Sequence, residues 1–268
     1  MPLILGTNSI KDTGFNVPNS LRFNPGSDDY LNVTQSSGTS DIKGTFSAWI
    51  KGNHTNSIFS GHTDSNNRIA LYFSDSLRIY GAISGSQSVY LITNQLFRDS
   101  SAWYHIVVAW DTSQATDTNR FKVYVNGSQV TSFSTAAYPD EDADVYWNKG
   151  TDLTVGARYV SSVSDFFDGY MSETVFIDGL QLAADSFGEF DEDSGIWKPI
   201  NVSGLTFGTN GFYLETKGSG TSANSSGLGA DTSGNANHFT VNNLTAVDQT
   251  TDTCTNNFAT VNPVDSGF

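Results

Sequence analysis

Only one cysteine, Cys254, occurs among 268 residues, so no intrachain disulfide can form. Basic residues are also scarce: 13 Lys and Arg face 28 Asp and Glu, a formal net charge of −15. Nucleic-acid phosphates are held by clustered Lys and Arg. The basic residues here are scattered singly, which argues against a nucleic-acid partner. Long apolar runs are missing as well. The longest, Ile106-Val107-Val108-Ala109-Trp110, falls far short of the roughly 20 residues that span a bilayer, so membrane insertion is not expected. The opening Met1-Pro2-Leu3-Ile4-Leu5-Gly6 has neither the basic n-region nor the longer apolar stretch of a signal peptide, and none is expected.

Glutamate and lysine are depleted: of the 28 acidic residues only 5 are Glu, and Lys numbers 7. These are the side chains that favour exposed helix. Asp, Asn, Ser and Thr instead bond their own backbone in turns and caps, and together with Gly they make up almost half the chain. The composition therefore predicts an all-β protein rich in loops. Aromatic residues, at 13%, supply enough apolar area to exclude disorder of the whole chain.

From residue 18 to about 183, short segments of period-two alternation are separated by Gly, Asn, Asp and Ser clusters, the pattern of a β-sandwich. Twelve strands are predicted: 20–23, 30–33, 44–51, 56–61, 69–73, 77–83, 89–93, 103–110, 120–125, 129–133, 152–157 and 169–177. Asn126-Gly127 supplies the two positive-φ positions of a type I′ hairpin. Both faces of 103–110 are largely apolar, which places that strand centrally. One short helix is predicted from Ala183 to about Phe190. Residues 218–237 have a linker composition, flanked by strand-like 205–207, 212–214 and 239–244. The division is a 1–17 arm, an 18–190 sandwich and a 191–268 extension, within which Asp231-Thr232-Ser233-Gly234-Asn235 looks like the start of a second domain.

Six motifs, in this order, resemble the concanavalin A-like sandwiches of the laminin G-like and pentraxin-like branch. They are Ser20-Leu21-Arg22-Phe23, Thr45-Phe46-Ser47-Ala48-Trp49-Ile50, Trp103-Tyr104-His105-Ile106-Val107-Val108-Ala109-Trp110-Asp111, Phe121-Lys122-Val123-Tyr124-Val125-Asn126-Gly127, Leu153-Thr154-Val155-Gly156 and Phe167-Asp168-Gly169-Tyr170-Met171-Ser172. The resemblance implies a jelly-roll fold. The opening residues 1–14 and the tail motifs Asp231-Thr232-Ser233-Gly234-Asn235, Phe239-Thr240-Val241-Asn242-Asn243-Leu244 and Asn256-Asn257-Phe258 are similar to virion surface proteins of marine bacteriophages. That resemblance implies a capsid decoration or fibre, assembled in the host cytoplasm and displayed on the virion surface. Its partners would be other virion subunits and host-surface glycans, with homo-oligomerisation. A carbohydrate-binding module of a larger bacterial protein is the alternative, and a glycoside hydrolase a more distant one.

Glycoside hydrolysis needs two placed carboxyl groups. The laminarinase-like pattern Glu-x-Asp-x-x-Glu is nearest to Glu189-Phe190-Asp191-Glu192-Asp193-Ser194, which lacks the last Glu. No Gly-x-Ser-x-Gly elbow precedes a helix, so no enzyme activity is expected. His105 reads as a core residue. No cofactor is required, with calcium as the one candidate ion, because Asp-rich loops offer hard oxygen ligands. Asp140, Glu141, Asp142 and Asp144 form the densest acidic run, and 191–195 and 231–235 are lesser candidates. Sugars stack on aromatic faces rimmed by polar groups. Tyr138, Tyr146, Trp147 and Tyr159 lie in loop-like stretches beside acidic residues and are the glycan-binding candidates, whereas Trp49, Trp103 and Trp110 read as core. The apolar segment Pro2, Leu3, Ile4 and Leu5 is the candidate for docking against a neighbouring subunit.

Overall fold

The computed structural model describes residues 14–52, 56–149 and 151–257. The arm candidates Pro2, Leu3, Ile4 and Leu5 lie outside the described residues. The first seven strands are β1 (Ser20–Phe23), β2 (Tyr30–Thr34), β3 (Lys43–Gly52), β4 (Asn56–Asp64), β5 (Asn67–Phe73), β6 (Leu77–Ile83) and β7 (Ser86–Thr93). The next eight are β8 (Tyr104–Asp111), β9 (Phe121–Val125), β10 (Ser128–Val130), β11 (Phe133–Ala137), β12 (Asp152–Val155), β13 (Arg158–Tyr159), β14 (Val163–Ser164) and β15 (Gly169–Asp178). Five short strands follow: β16 (Gly188–Phe190), β17 (Trp197–Pro199), β18 (Phe212–Leu214), β19 (Thr240–Asn242) and β20 (Gln249–Thr250).

Two eight-stranded antiparallel sheets face each other, which makes the protein an all-β sandwich of jelly-roll type. The first runs β10-β9-β8-β3-β15-β1-β20, with β18 added to β15; the second runs β11-β7-β6-β5-β4-β12-β2-β19. Alternation decides which residues face which side. On β3 and β8, Phe46, Ala48, Ile50, Ile106, Val108 and Trp110 point into the core between the sheets. Aromatic rings fill its centre, with Phe46 stacked on Phe59 at 4.3 Å and Trp110 tilted against Trp147 at 5.0 Å between centroids.

The opposite face of the first sheet is covered too. Trp49, Val107, Val175 and Ile177 pack beneath Phe187, Trp197, Val202, Phe207 and Tyr213. This second cluster explains why both faces of β8 are apolar, the feature that marked it as central. The extension is therefore built into the sandwich rather than appended to it: β18 and β20 complete the first sheet, β19 the second, and Leu228, Phe239 and Leu244 join the main core. Asp231, expected at the start of a second domain, instead organises a tight turn. Its Oδ1 accepts the Tyr213 and Ser233 amides at 2.9 and 2.8 Å, and its Oδ2 accepts the Asn237 amide at 2.8 Å.

Two further expectations are corrected. The segment from Ala183 contains only a 3₁₀ turn, Ala184–Ser186, because β16 begins at Gly188, in a hairpin whose ladder pairs Gly188 with Pro199 and Phe190 with Trp197. The single strand expected over 129–133 is two strands, since β10 stays with β9 while β11 crosses to pair with β7 on the other sheet. The Asn126-Gly127 hairpin is as expected, at φ 46° and 79°.

Candidate functional site

Strands β2, β12 and β4 lie side by side in the second sheet, in a register that places His62 opposite Asp152 and Asp152 opposite Thr34. Their inward residues Leu31, Leu153 and Phe59 enter the core. By the same alternation, Tyr30, Asn32, Thr34, Asp152, Thr154 and His62 line the outer face. The β13–β14 hairpin overhangs that face and contributes Tyr159 and Val163, and the end of β4 with the turn that follows adds Thr63, Asp64 and Ser65. Together they enclose a groove of about 570 Å³.

The floor of the groove is aromatic. His62, 5% exposed, stacks its ring on Tyr159 at 3.9 Å between centroids and 17° between planes. Its Nδ1 is buried with no protein hydrogen-bond partner among the described residues. Burial pushes the His62 imidazole below its ordinary pKa, and neighbouring Asp152 only partly opposes the shift. The ring beneath Tyr159 is therefore neutral, and its Nδ1 lies below the groove surface. Along the rim, Thr34 Oγ1 donates to Asp152 Oδ1 at 2.5 Å and Asn242 Nδ2 donates to Asn32 Oδ1 at 2.7 Å. Asp64 accepts from the Asn67 side chain at 2.9 Å and from the Asn66 amide at 2.7 Å, and these bonds, led by that from Asn67, hold its carboxyl below the usual range.

Of the four aromatic candidates, the structure places Tyr159 in the groove. Trp147 is fully buried, its ring 5.4 Å from Phe59 and 5.0 Å from Trp110, and has no face to offer a sugar. The loop that holds it crosses β4 at Gly61, where any Cβ would collide with the Tyr146 carbonyl. Tyr146 is half-buried, and its hydroxyl donates to Asn67 Oδ1 at 3.0 Å. Tyr138 packs on the main core.

The acidic run does not converge. Glu141 pairs with Arg120 at 3.5 Å and Asp144 with Lys149, while Asp140 and Asp142 are exposed. Among the described residues no three His, Cys, Asp or Glu side chains form a metal-ligand group. The 191–195 segment is likewise a turn: Asp191 Oδ1 accepts the Ser194 amide at 2.9 Å and Oδ2 accepts from Lys198 at 3.1 Å.

A second polar constellation lies beneath the extension. His105 Nδ1 accepts from Trp197 Nε1 at 2.9 Å, which leaves Nε2 to carry the proton and donate to Ser47 Oγ at 2.8 Å. A general base needs the opposite arrangement, with Nε2 free to take the serine proton. Nearby Glu173, 5% exposed, is pushed up to about 7 by burial and accepts from the Tyr213 hydroxyl. It sits on the first sheet, away from the groove. These groups serve the packing of the extension.

Most of the groove was missed in the sequence, although a signal existed. Tyr30, Asn32 and Thr34 alternate with core residues, as do Asp152 and Thr154, so a polar face carrying an aromatic was present in strands rather than loops.

The family model described as the concanavalin A-like lectin/glucanases superfamily matches residues 25–183. No curated protein matches the chain. Among solved structures, a Bacteroides ovatus protein named for carbohydrate binding superposes with a TM-score of 0.53 at 14% identity, covering 85% of this chain and 59% of its own. A heptameric pentraxin from Limulus polyphemus gives 0.46 at 17% identity, covering 63% and 80%. Tailspike protein 2 of an Escherichia coli O157:H7 bacteriophage gives 0.43 at 13%, covering 63% and 23%. The matched residues span β2 to β15, both sheets of the sandwich and every strand that lines the groove, and the chain belongs to the concanavalin A-like lectin/glucanase superfamily.

Proposed function

We propose that this protein is a non-catalytic glycan-binding sandwich of a bacteriophage virion surface, and that it holds sugar in the groove between β2, β12, β4 and the β13–β14 hairpin. The observation that carries the reading is the stacked Tyr159–His62 pair on the floor of a groove rimmed by Asn32, Asp64 and Asp152. An aromatic face takes the C–H side of a pyranose, and the polar side chains of Asn32, Asp64 and Asp152 along the rim can bond its hydroxyls. The charged lining residues are Asp64 and Asp152, with no Lys or Arg among them. Carboxylates accept from hydroxyls and repel anions, so the ligand is a neutral sugar rather than a sialylated or sulfated one.

Catalysis is not part of the proposal. Asp64 is held below the ordinary carboxylate range, opposite to what a general acid requires. The carboxyls that burial raises, Asp29 and Glu173, do not line the groove.

The virion setting rests on the resemblance of the two ends and on a net charge of −15, which keeps a densely packed surface soluble. A bacterial carbohydrate-binding module is the second reading, favoured by the structural match to the Bacteroides ovatus protein. Multivalent display on a glycan array tests the binding: wild type retains neutral glycans and Tyr159→Ala does not. Equal retention by both removes the groove from the proposal. A gene lying among capsid and tail genes supports the virion setting, and one among polysaccharide-degrading enzymes supports the module.

A further inference from the structure

Lys51 is the most deeply buried cation described, at 1% exposure near the end of β3. Its Nζ lies 2.5 Å from Asp252 Oδ2 and 3.0 Å from Asn257 Oδ1, both contributed by the segment that follows β20. Two rings enclose it, Trp103 at 5.8 Å and Tyr170 at 5.4 Å from the nitrogen to the ring centroid. Every other contact fixes these groups in place. Trp103 Nε1 donates to Asp252 Oδ1 at 3.2 Å, Ser20 Oγ donates to the Asp252 carbonyl at 2.6 Å, and Asn257 Nδ2 donates to the Ser101 carbonyl at 3.3 Å.

An amine and a carboxylate held in an aromatic enclosure, with a primary amide at its exposed edge, are the components of an amide exchange. We propose that Lys51 and Asn257 join through an isopeptide bond between Nζ and Cγ, with Asp252 as the proton carrier. Asp252 Oδ2 takes a proton from the Lys51 ammonium, and the freed lone pair attacks Asn257 Cγ. The carboxyl then passes its proton to Nδ2 as the Cγ–Nδ2 bond breaks, takes a second from Nζ and hands it to the departing ammonia, which returns Asp252 to its carboxylate. One Nζ–Cγ bond forms and one Cγ–Nδ2 bond is lost. Of the three ammonium protons, one stays on the new amide and two leave with the Asn257 nitrogen as ammonium, so charge and atoms balance with no oxidant or other reactant. Fixed proximity supplies the rate: groups held in contact react with effective molarities of about 10⁵ M or more when well oriented. Lysine is an effective nucleophile once its proton is removed in a site screened from water.

The consequence is a covalent closure between the end of β3 and the segment beyond β20, which ties the extension to the sandwich without cysteine. Electrospray mass measurement of the denatured full chain, followed by peptide mapping, tests it. The expected wild-type mass is one ammonia below that of the sequence, with a branched peptide joining Lys51 to Asn257 and no tryptic cleavage after Lys51. Asn257→Ala, a change at an exposed side chain that leaves the fold intact, restores the full mass. A wild-type mass equal to the sequence overturns the proposal. So does a loss of water with a branch at Asp252, or a loss of ammonia without a branched peptide.

Discussion

The rings of His62 and Tyr159 lie 3.9 Å apart and nearly parallel, although one belongs to the sheet and the other to a two-residue strand that overhangs it. The hairpin thus converts a flat sheet face into a groove with an aromatic floor. Tyr159 is only half-buried, so its removal spares the core. Tyr159→Ala should therefore weaken sugar binding by about 1.5 kcal/mol, roughly tenfold in Kd, with thermal stability changed little. Titration calorimetry with an array-selected glycan checks this, and an unchanged Kd would place the sugar elsewhere.

Trp147→Ala should act on the fold instead. The ring is fully buried between Phe59 and Trp110, and truncating such a residue costs about 3–5 kcal/mol. Urea unfolding should show a lower midpoint, and Trp147→Phe should recover much of the loss. A midpoint equal to wild type would contradict the burial.

Chelation should leave both binding and stability unchanged. Glu141 and Asp144 are already paired with Arg120 and Lys149. Adding a chelator to the array and to a thermal melt provides the check, and a fall in either would require a cation site outside the acidic run.

The sandwich was legible because its signal is local: alternation, turn residues and the Asn126-Gly127 hairpin are each written within a few residues. Even the two-faced apolarity of β8 was visible, though the partner covering its second face was not, since Phe187, Trp197 and Tyr213 reach it from distant parts of the chain. Site residues were less legible. Trp147 and Tyr146 have the same loop-like neighbourhood in sequence, and only the crossing at Gly61 turns one inward. Tyr159 was among the sequence candidates and lies in the groove, whereas His62 was not, because its place there depends on partners nearly a hundred residues away. Acidic clustering is hard to read for a related reason: charge density along a chain does not say which cations, such as Arg120 and Lys149, the fold will bring to it.

Stability should depend on pH through two buried groups that act in opposite directions. Burial lowers His105 from 6.5 to about 3, so between these values the unfolded chain binds a proton that the folded chain refuses, and stability falls as the pH falls. Burial raises Glu173 from 4.5 to about 7, so over that interval the folded chain keeps a proton that the unfolded chain releases, and stability falls as the pH rises. Each slope approaches about 1.4 kcal/mol per pH unit, and the two offset each other where the windows overlap. Glu173→Gln removes one of them while its side-chain oxygen can still accept from the Tyr213 hydroxyl. The variant should match wild type below pH 4.5 and become more stable by a few kcal/mol as the pH rises through 7. Urea unfolding of both proteins across this range measures the gap; parallel curves would mean that Glu173 is not held protonated in the folded chain.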